Sequence, residues 1–299
     1  MKRIGLVLGG GGARGLAHVG VLQALEKANI QIDILVGCSF GALIGGLYAQ
    51  HPDAEMVYER LYKFMYSDAF KNLGLEMVRK RSIPSDDTLR QLTRNIKDWV
   101  MLNVLAKRIS ILKQRRLLDV VSSLIDDREF ADYPLTFACN ATDIVSGKPV
   151  LFHRGKVRPA IAASMTIPGF FPPMEINGQM LVDGAVTANL PIAFARQLGA
   201  EFIIAVDIHP HLHPENDFRN VIDVILRTNT ITANTLSEAT LKGADILIQP
   251  PVKEYYWYEF DRYKEIIQAG EAATNMALPE IYRQFSRLQR RRLLRKVGL

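Results

Sequence analysis

Gly37-Cys38-Ser39-Phe40-Gly41 stands between an apolar run at residues 32–36 and a small-residue run at residues 42–49. The order reads as strand, sharp turn, helix. A serine in this position sits at the tip of the turn, and glycines flank it because larger side chains would clash where the backbone doubles back. Gly-x-Ser-x-Gly is a nucleophile elbow in outline. Any tight turn can hold the same residue types, so the meaning of this one depends on what the rest of the chain brings to it.

Before the elbow, residues 3–8 form a short apolar run that ends in Gly9-Gly10-Gly11-Gly12-Ala13-Arg14-Gly15. Leu16, Val19, Gly20, Val21, Leu22 and Leu25 then recur at helical spacing, to about residues 27–29. This is a strand, a glycine loop and a helix, and the run at 32–36 becomes a second strand parallel to the first. Gly10-x-Gly12-x-x-Gly15 matches the dinucleotide fingerprint, which requires an acidic residue at the end of the second strand for the ribose. That end carries Gly37-Cys38-Ser39, and Asp33 lies at the strand's beginning, so the fingerprint fails in context. A phosphate-binding P-loop fails as well, for want of Gly-Lys-Ser/Thr. What remains is a loop of bare N–H groups at a helix start beside a serine, which describes an oxyanion hole.

After the elbow, residues 52–127 carry helical spacing with breaks near Gly74 and Pro84, and read as an all-helical insertion. Met56, Leu61, Phe64, Met65 and Phe70, then Leu89, Leu92, Ile96, Trp99 and Val100, then Leu105, Ile109 and Leu112, form its apolar stripes. Strand character returns at 135–141 and 150–152, and a short helix at 157–165 stops before Pro168. Asn177-Gly178 joins residues 174–176 and 179–182 as a hairpin that delivers Asp183-Gly184-Ala185. A helix at 191–198, a buried strand at 202–206, a loop holding His209, His211 and His213, a helix at 218–242 and a strand at 245–248 follow. The aromatic run Tyr255-Tyr256-Trp257-Tyr258 is expected to pack beneath the last helices. Leu278, Ile281, Phe285 and Leu288 place an apolar face on a basic amphipathic helix at 279–299.

The chain has 299 residues, 48% of them hydrophobic, enough to bury a large core. The strand-like opening leaves no room for a secretory leader, so secretion is not expected. The longest uncharged run, residues 34–50, contains the elbow and five Gly or Ser, which disfavours a membrane span. Cys38 and Cys139 are far apart, without metal-ligand spacing, and fit reduced thiols. Net charge is +6, yet residues 79–116 and 279–299 together hold +14. Either these are solvated helix faces, or they meet an anionic partner, a membrane surface or a nucleic acid.

A serine hydroxyl needs a base within hydrogen-bond reach. A Ser, Asp, His order could be met by Ser39, Asp183 and one of the three histidines, but those sit in a Pro-punctuated polar loop and read as solvated imidazoles. His18 reads as a satisfied helix residue or a neighbour of Arg14. Among the carboxylates, Asp143, Asp183 and Asp207 each follow a strand-like run, and Asp183 is distinguished by Gly184, which permits a tight turn. A carboxylate serves as base to a serine only with help from burial or from concerted proton transfer.

Gly10-Gly11-Gly12-Ala13-Arg14-Gly15, Gly37-Cys38-Ser39-Phe40-Gly41 and Asp183-Gly184-Ala185, in that order, resemble the three signature blocks of the patatin-like phospholipase family. Ser164, Pro168, Phe171 and Pro173 before Asp183, and Asn189 and Pro191 after it, strengthen the likeness. The resemblance implies a three-layer α/β/α sandwich with a mainly parallel sheet, and a lipid acyl hydrolase working through an acyl-serine. It implies Ser39 as nucleophile, Asp183 as general base, and the N–H groups of Gly10, Gly11 and Gly12 as oxyanion hole. Arg14, Gly15, Gly37, Gly41 and Gly184 are its supporting residues, with Arg14 ordering the loop or attracting an anionic head group. No metal or cofactor is implied. The expected partners are a phospholipid or other acyl lipid and, through 79–116 and 279–299, an anionic membrane; no nucleic acid is expected. The expected layout is an acyl-hydrolase unit at 1–278 with its cap at 52–127 and a basic helix at 279–299, in the cytoplasm and peripheral to the inner membrane surface. The rivals are an acyltransferase, which passes the same acyl group to an alcohol or thiol, and a non-catalytic partner-binding protein on the same fold.

Overall fold

The computed structural model describes residues 3–71, 110–209, 218 and 221–296. Most of the basic stretch 79–116 lies outside the described residues, as do Leu89, Leu92, Ile96, Trp99, Val100, Leu105, Ile109, His211 and His213.

Eight strands form one mixed sheet among the described residues. β1 (Ile4–Leu8), β2 (Ile34–Cys38), β3 (Thr136–Asp143), β7 (Phe202–Val206) and β8 (Ile246–Ile248) make its parallel part, in the order β3-β2-β1-β7-β8. β4 (Lys148–Phe152), β5 (Met174–Ile176) and β6 (Gln179–Asp183) add an antiparallel edge, with β4 and β6 both on β3. Asn177 and Gly178 have φ of 52° and 75°, the left-handed pair that a two-residue hairpin turn requires.

The inner strands read as continuous apolar runs because both of their faces are buried. Leu6, Leu8, Leu35, Phe137, Phe202 and Ile204 belong to the larger core, and the alternating Val7, Ile34, Val36, Ala138, Ile203 and Ala205 to the smaller. Burying a side chain such as Phe202 stabilises the fold by roughly 2–3 kcal/mol. The larger core is closed by α1 (Ala17–Lys27), α2 (Phe40–Gln50), α6 (Val157–Ser164) and α10 (Tyr263–Lys296); α8 (Ile192–Gln197) covers the smaller. This is the expected three-layer sandwich. Every residue of α2 is buried, which accounts for the uncharged run at 34–50: it is a central strand followed by an enclosed helix.

The insertion begins with α3 (Ala54–Met65) and α4 (Asp68–Lys71) and ends with α5 (Gln114–Leu124). Asp53 caps α3 by accepting from the N–H groups of Glu55 and Met56 at 2.9 and 3.0 Å. Leu61 and Phe64 are buried, whereas Met56, placed on the same stripe by the sequence, is exposed. α10 packs along α1 so closely that a Cβ on Gly20 would collide with the Ile267 carbonyl, and one on Gly270 with the Ala17 carbonyl. The expected boundary at 278/279 falls inside α10, which runs on through Pro279. Ile281 is buried and Leu278 and Phe285 pack on the core, so the apolar face of this part of the helix is already occupied.

Candidate active site

β2 delivers Ser39 with φ 53° and ψ −123°, a left-handed conformation that an L-residue adopts only when its surroundings impose it. They do so at close range. A Cβ on Gly37 would strike the Gly41 carbonyl, and one on Gly41 would strike the Leu8 carbonyl. The Ser39 N–H donates to Ser164 Oγ at 2.8 Å, and the Ser39 carbonyl accepts from Ala42 and Leu43 in the first turn of α2. The hydroxyl therefore stands at the positive end of a buried helix.

β6 brings Asp183 to it. Ser39 Oγ donates to Asp183 Oδ2 at 2.6 Å. The other carboxylate oxygen accepts from the Ala185 N–H at 2.9 Å and faces Cys38 Sγ at 3.9 Å. Cys38, expected as a reduced thiol, thus turns its sulfur toward the carboxylate. Burial pushes Asp183 up to about 6, with the bonds from Ser39, Ala185 and Cys38 pulling the other way. Burial also raises the Cys38 thiol well above its ordinary range, aided by the nearby carboxylate, so it stays protonated. Asp143 and Asp207 do not reach Ser39: Asp143 accepts from Val145 and Ser146, and Asp207 from His209 and Gln249. Among the described residues no imidazole hydrogen-bonds Ser39 or Asp183.

The glycine loop is held peptide by peptide. His18 Nε2–H donates to the Gly9 carbonyl at 2.8 Å, and the Gly10 N–H donates to Asn189 Oδ1 at 3.1 Å. The Gly11 carbonyl accepts from Arg14 Nε at 3.2 Å. A trans peptide points its C=O and N–H in opposite directions. The Gly12 N–H therefore points away from Arg14, and Gly12 lines a pocket together with Ser39. Gly12 has φ 59°, and a Cβ there would collide with the Trp257 carbonyl. The expectation for Gly10 is corrected: its N–H is taken by Asn189, which leaves Gly11 and Gly12 at the open start of the 3-10 turn Gly12–Leu16. Arg14, expected to order the loop or attract an anionic head group, bonds the loop at the Gly11 carbonyl. It is buried, and burial draws its guanidinium down to about 10 against the pull of Asp207. The supporting glycines Gly15 and Gly184 lie where a Cβ would press on Phe40 and Asn140.

Beside Ser39 the pocket encloses about 90 Å³, with walls that are aromatic and aliphatic apart from the serine hydroxyl and one indole. Phe40, Phe64, Phe70, Phe170, Trp257 and Phe260 form much of it. The described parts of the insertion contribute Phe64, Phe70, Leu112, Leu117 and Val120, so the cap is one wall of the site. Trp257, expected beneath the last helices, instead touches the glycine loop: its carbonyl accepts from the Ala13 N–H at 2.8 Å, and its ring meets Phe170 edge-on. The aromatic run was the signal for it, but only tertiary structure says which ring faces the serine. His209 is likewise corrected from a solvated imidazole to a half-buried one, with Nδ1 3.3 Å from Asn189 Nδ2.

A strained serine on a strand-to-helix elbow, bonded to one buried carboxylate at the end of a mixed sheet, defines α/β proteins built on a Ser–Asp pair. The chain belongs to the patatin-like phospholipase family, whose family model matches residues 6–196. It is 29% identical over 301 residues to lysophospholipase NTE1 of Saccharomyces cerevisiae, covering 90% of this chain and 16% of that protein. It is 32% identical over 298 residues to lysophospholipase nte1 of Emericella nidulans, covering 91% and 18%. The chain thus spans less than a fifth of the length of these relatives. Among solved structures, VipD from Legionella pneumophila shares the fold, with a TM-score of 0.52 at 13% identity over 94% of this chain and 67% of that one.

Proposed function

We propose that the chain is a serine-dependent lipid acyl hydrolase of the phospholipase or lysophospholipase type. The observation that carries this reading is the 2.6 Å bond from Ser39 Oγ to a buried Asp183, at the side of an apolar pocket. Asp183 accepts the hydroxyl proton as Oγ attacks the ester carbonyl, and the N–H groups of Gly11 and Gly12 receive the oxyanion. Collapse of the tetrahedral adduct expels the alcohol, which takes the proton from Asp183, and leaves the acyl group on Ser39. A water then gives one proton to Asp183 as it attacks the acyl-serine, and collapse of this second adduct releases the fatty acid while the proton returns from Asp183 to Ser39 Oγ. The aromatic pocket holds the acyl chain, which has no polar group to satisfy there. The names of the relatives support a phospholipid or lysophospholipid substrate.

In the same reading residues 52–127 are the cap of the catalytic unit, and the basic residues of 79–116 and 279–299 touch an anionic membrane surface. Among the described residues no helix is long and apolar enough to cross a membrane. The deciding experiment is mass spectrometry of the products from a mixed lipid extract, wild type against Ser39→Ala. Free fatty acids released only by the wild type support hydrolysis, and equal release by both proteins refutes it. Acyl esters of an added alcohol in place of fatty acid would make the enzyme an acyltransferase. Sedimentation with vesicles should rise with anionic lipid and fall with salt; binding indifferent to both removes the membrane contact.

A further inference from the structure

Four consecutive glycines give a loop wide conformational freedom, whereas an oxyanion hole depends on N–H groups already aimed before reaction. The tether on Gly10 resolves that conflict. Its N–H is a donor and nothing else, so the Asn189 atom facing it at 3.1 Å is Oδ1, and Nδ2 faces His209 Nδ1 at 3.3 Å. His209 Nδ1 must then accept, which requires a neutral imidazole with its proton on Nε2. Burial lowers the basicity of this ring, with Arg14 and Lys253 adding to that effect and Asp207 opposing it. The His209 backbone is anchored in turn: its N–H donates to Asp207 Oδ1 at 3.0 Å, and Asp207 is held by Gln249 Nε2 at 2.9 Å.

We propose that Asn189 and His209 are a positioning pair that fixes the Gly9–Gly10 peptide, and through it the aim of the Gly11 and Gly12 N–H groups. Asn189 makes the contact, and His209, by accepting from Nδ2, keeps the amide from turning its donor side to Gly10. With His18 on the Gly9 carbonyl, the peptide is gripped at both ends and cannot rotate. Neither Asn189 nor His209 touches the reacting atoms; both act through the loop. The inference rests on the reading of Ser39 and the glycine loop as catalytic.

Steady-state hydrolysis of a p-nitrophenyl acyl ester by the full chain tests it, with Asn189→Leu, His209→Phe and His209→Gln set against wild type and Ser39→Ala. Asn189→Leu should lower kcat about 100-fold, the scale of losing one oxyanion donor, while KM changes less than about threefold. His209→Phe should lower kcat about 10-fold, and His209→Gln, whose amide oxygen can accept from Asn189, should recover most of that loss. A kcat within twofold of wild type for Asn189→Leu overturns the proposal. Equal rates for His209→Phe and His209→Gln overturn it too, as does a loss carried mainly by KM. If Asn189→Leu fails to fold, the two His209 variants decide alone. Full activity in Ser39→Ala would refute the functional reading itself, whereas an inactive Ser39→Ala beside a fully active Asn189→Leu refutes the positioning pair only.

Discussion

Replacing Asp183 by Asn should make the protein more stable above about pH 6 while it loses activity. Asp183 is 4% exposed and sits at about 6, against an ordinary 3.8. One pKa unit is 1.36 kcal/mol, so holding this carboxylate ionised in the folded state costs about 3 kcal/mol relative to the unfolded chain. The sign follows from linkage. A carboxyl whose folded pKa is raised binds its proton more tightly in the native state, so stability falls as pH rises from about 4 to about 6 and is flat beyond. Asn carries no charge, keeps an acceptor for the Ala185 N–H and can donate to Ser39 Oγ, so the cost disappears.

Urea unfolding of wild type and Asp183→Asn across pH 4 to 8 measures the difference directly. It should be near zero at pH 4, grow by about 1.4 kcal/mol per pH unit, and level off near 3 kcal/mol above pH 6. His18 does not confuse the comparison. Burial lowers its pKa to about 4, so the stability it contributes is present above about 6.5 and lost as pH falls toward 4, equally in both proteins. A difference independent of pH, or an Asn variant less stable than wild type at pH 8, refutes the reasoning.

Three further outcomes follow from the same geometry. The rate constant kcat/KM should rise about tenfold per pH unit up to about pH 6 and then flatten, because the base must be ionised; an acid limb centred near 4 contradicts the raised pKa of Asp183. Gly270→Ala should destabilise the fold by roughly 2–3 kcal/mol in urea, since its Cβ meets the Ala17 carbonyl, and should leave the activity per folded molecule unaltered. Phe170→Ala and Trp257→Ala should each lower kcat/KM for a long-chain ester about tenfold while sparing an acetyl ester, and an equal loss on both esters refutes the pocket's role as acyl site.

What the sequence displays is set by how locally each feature is determined. The elbow and the glycine loop are legible because their constraints act on the backbone: a Cβ at 37 or 41 would strike backbone carbonyls, so only glycine fits there. Asp183 is legible through the hairpin signal before it and the glycine after it. The apolar pocket beside Ser39 is not, because its walls come from α2, α3, α4, α5, the 165–171 loop and the 257–260 segment, and an aromatic that faces a pocket has the same local pattern as one that faces a core. The state of the Gly10 N–H is equally hidden, since the orientation of a glycine peptide leaves no mark on residue choice. His209 misleads for a related reason. Its polar, Pro-rich neighbours describe a surface loop, and only the Asn189 contact places its ring against the interior.

In the proposed reading a single carboxylate serves as base because burial raises it toward the working pH. Ser39 lines the proposed acyl pocket, and Asp183, bonded to it, is buried, which raises its pKa toward neutral pH. An exposed Asp183 would be a far weaker base, and an imidazole would then be needed between it and the serine. The pocket thus meets the pair at Ser39, and the cap supplies part of its wall. Opening the wall formed by Phe64, Phe70 and Leu117 is expected to admit water past Ser39 to Asp183, lower its pKa and weaken its pull on the serine proton even with every catalytic atom in place. Truncations in that wall should then shift the acid limb of the pH profile downward as well as weaken the grip on long chains, a signature that loss of acyl contact alone would not produce.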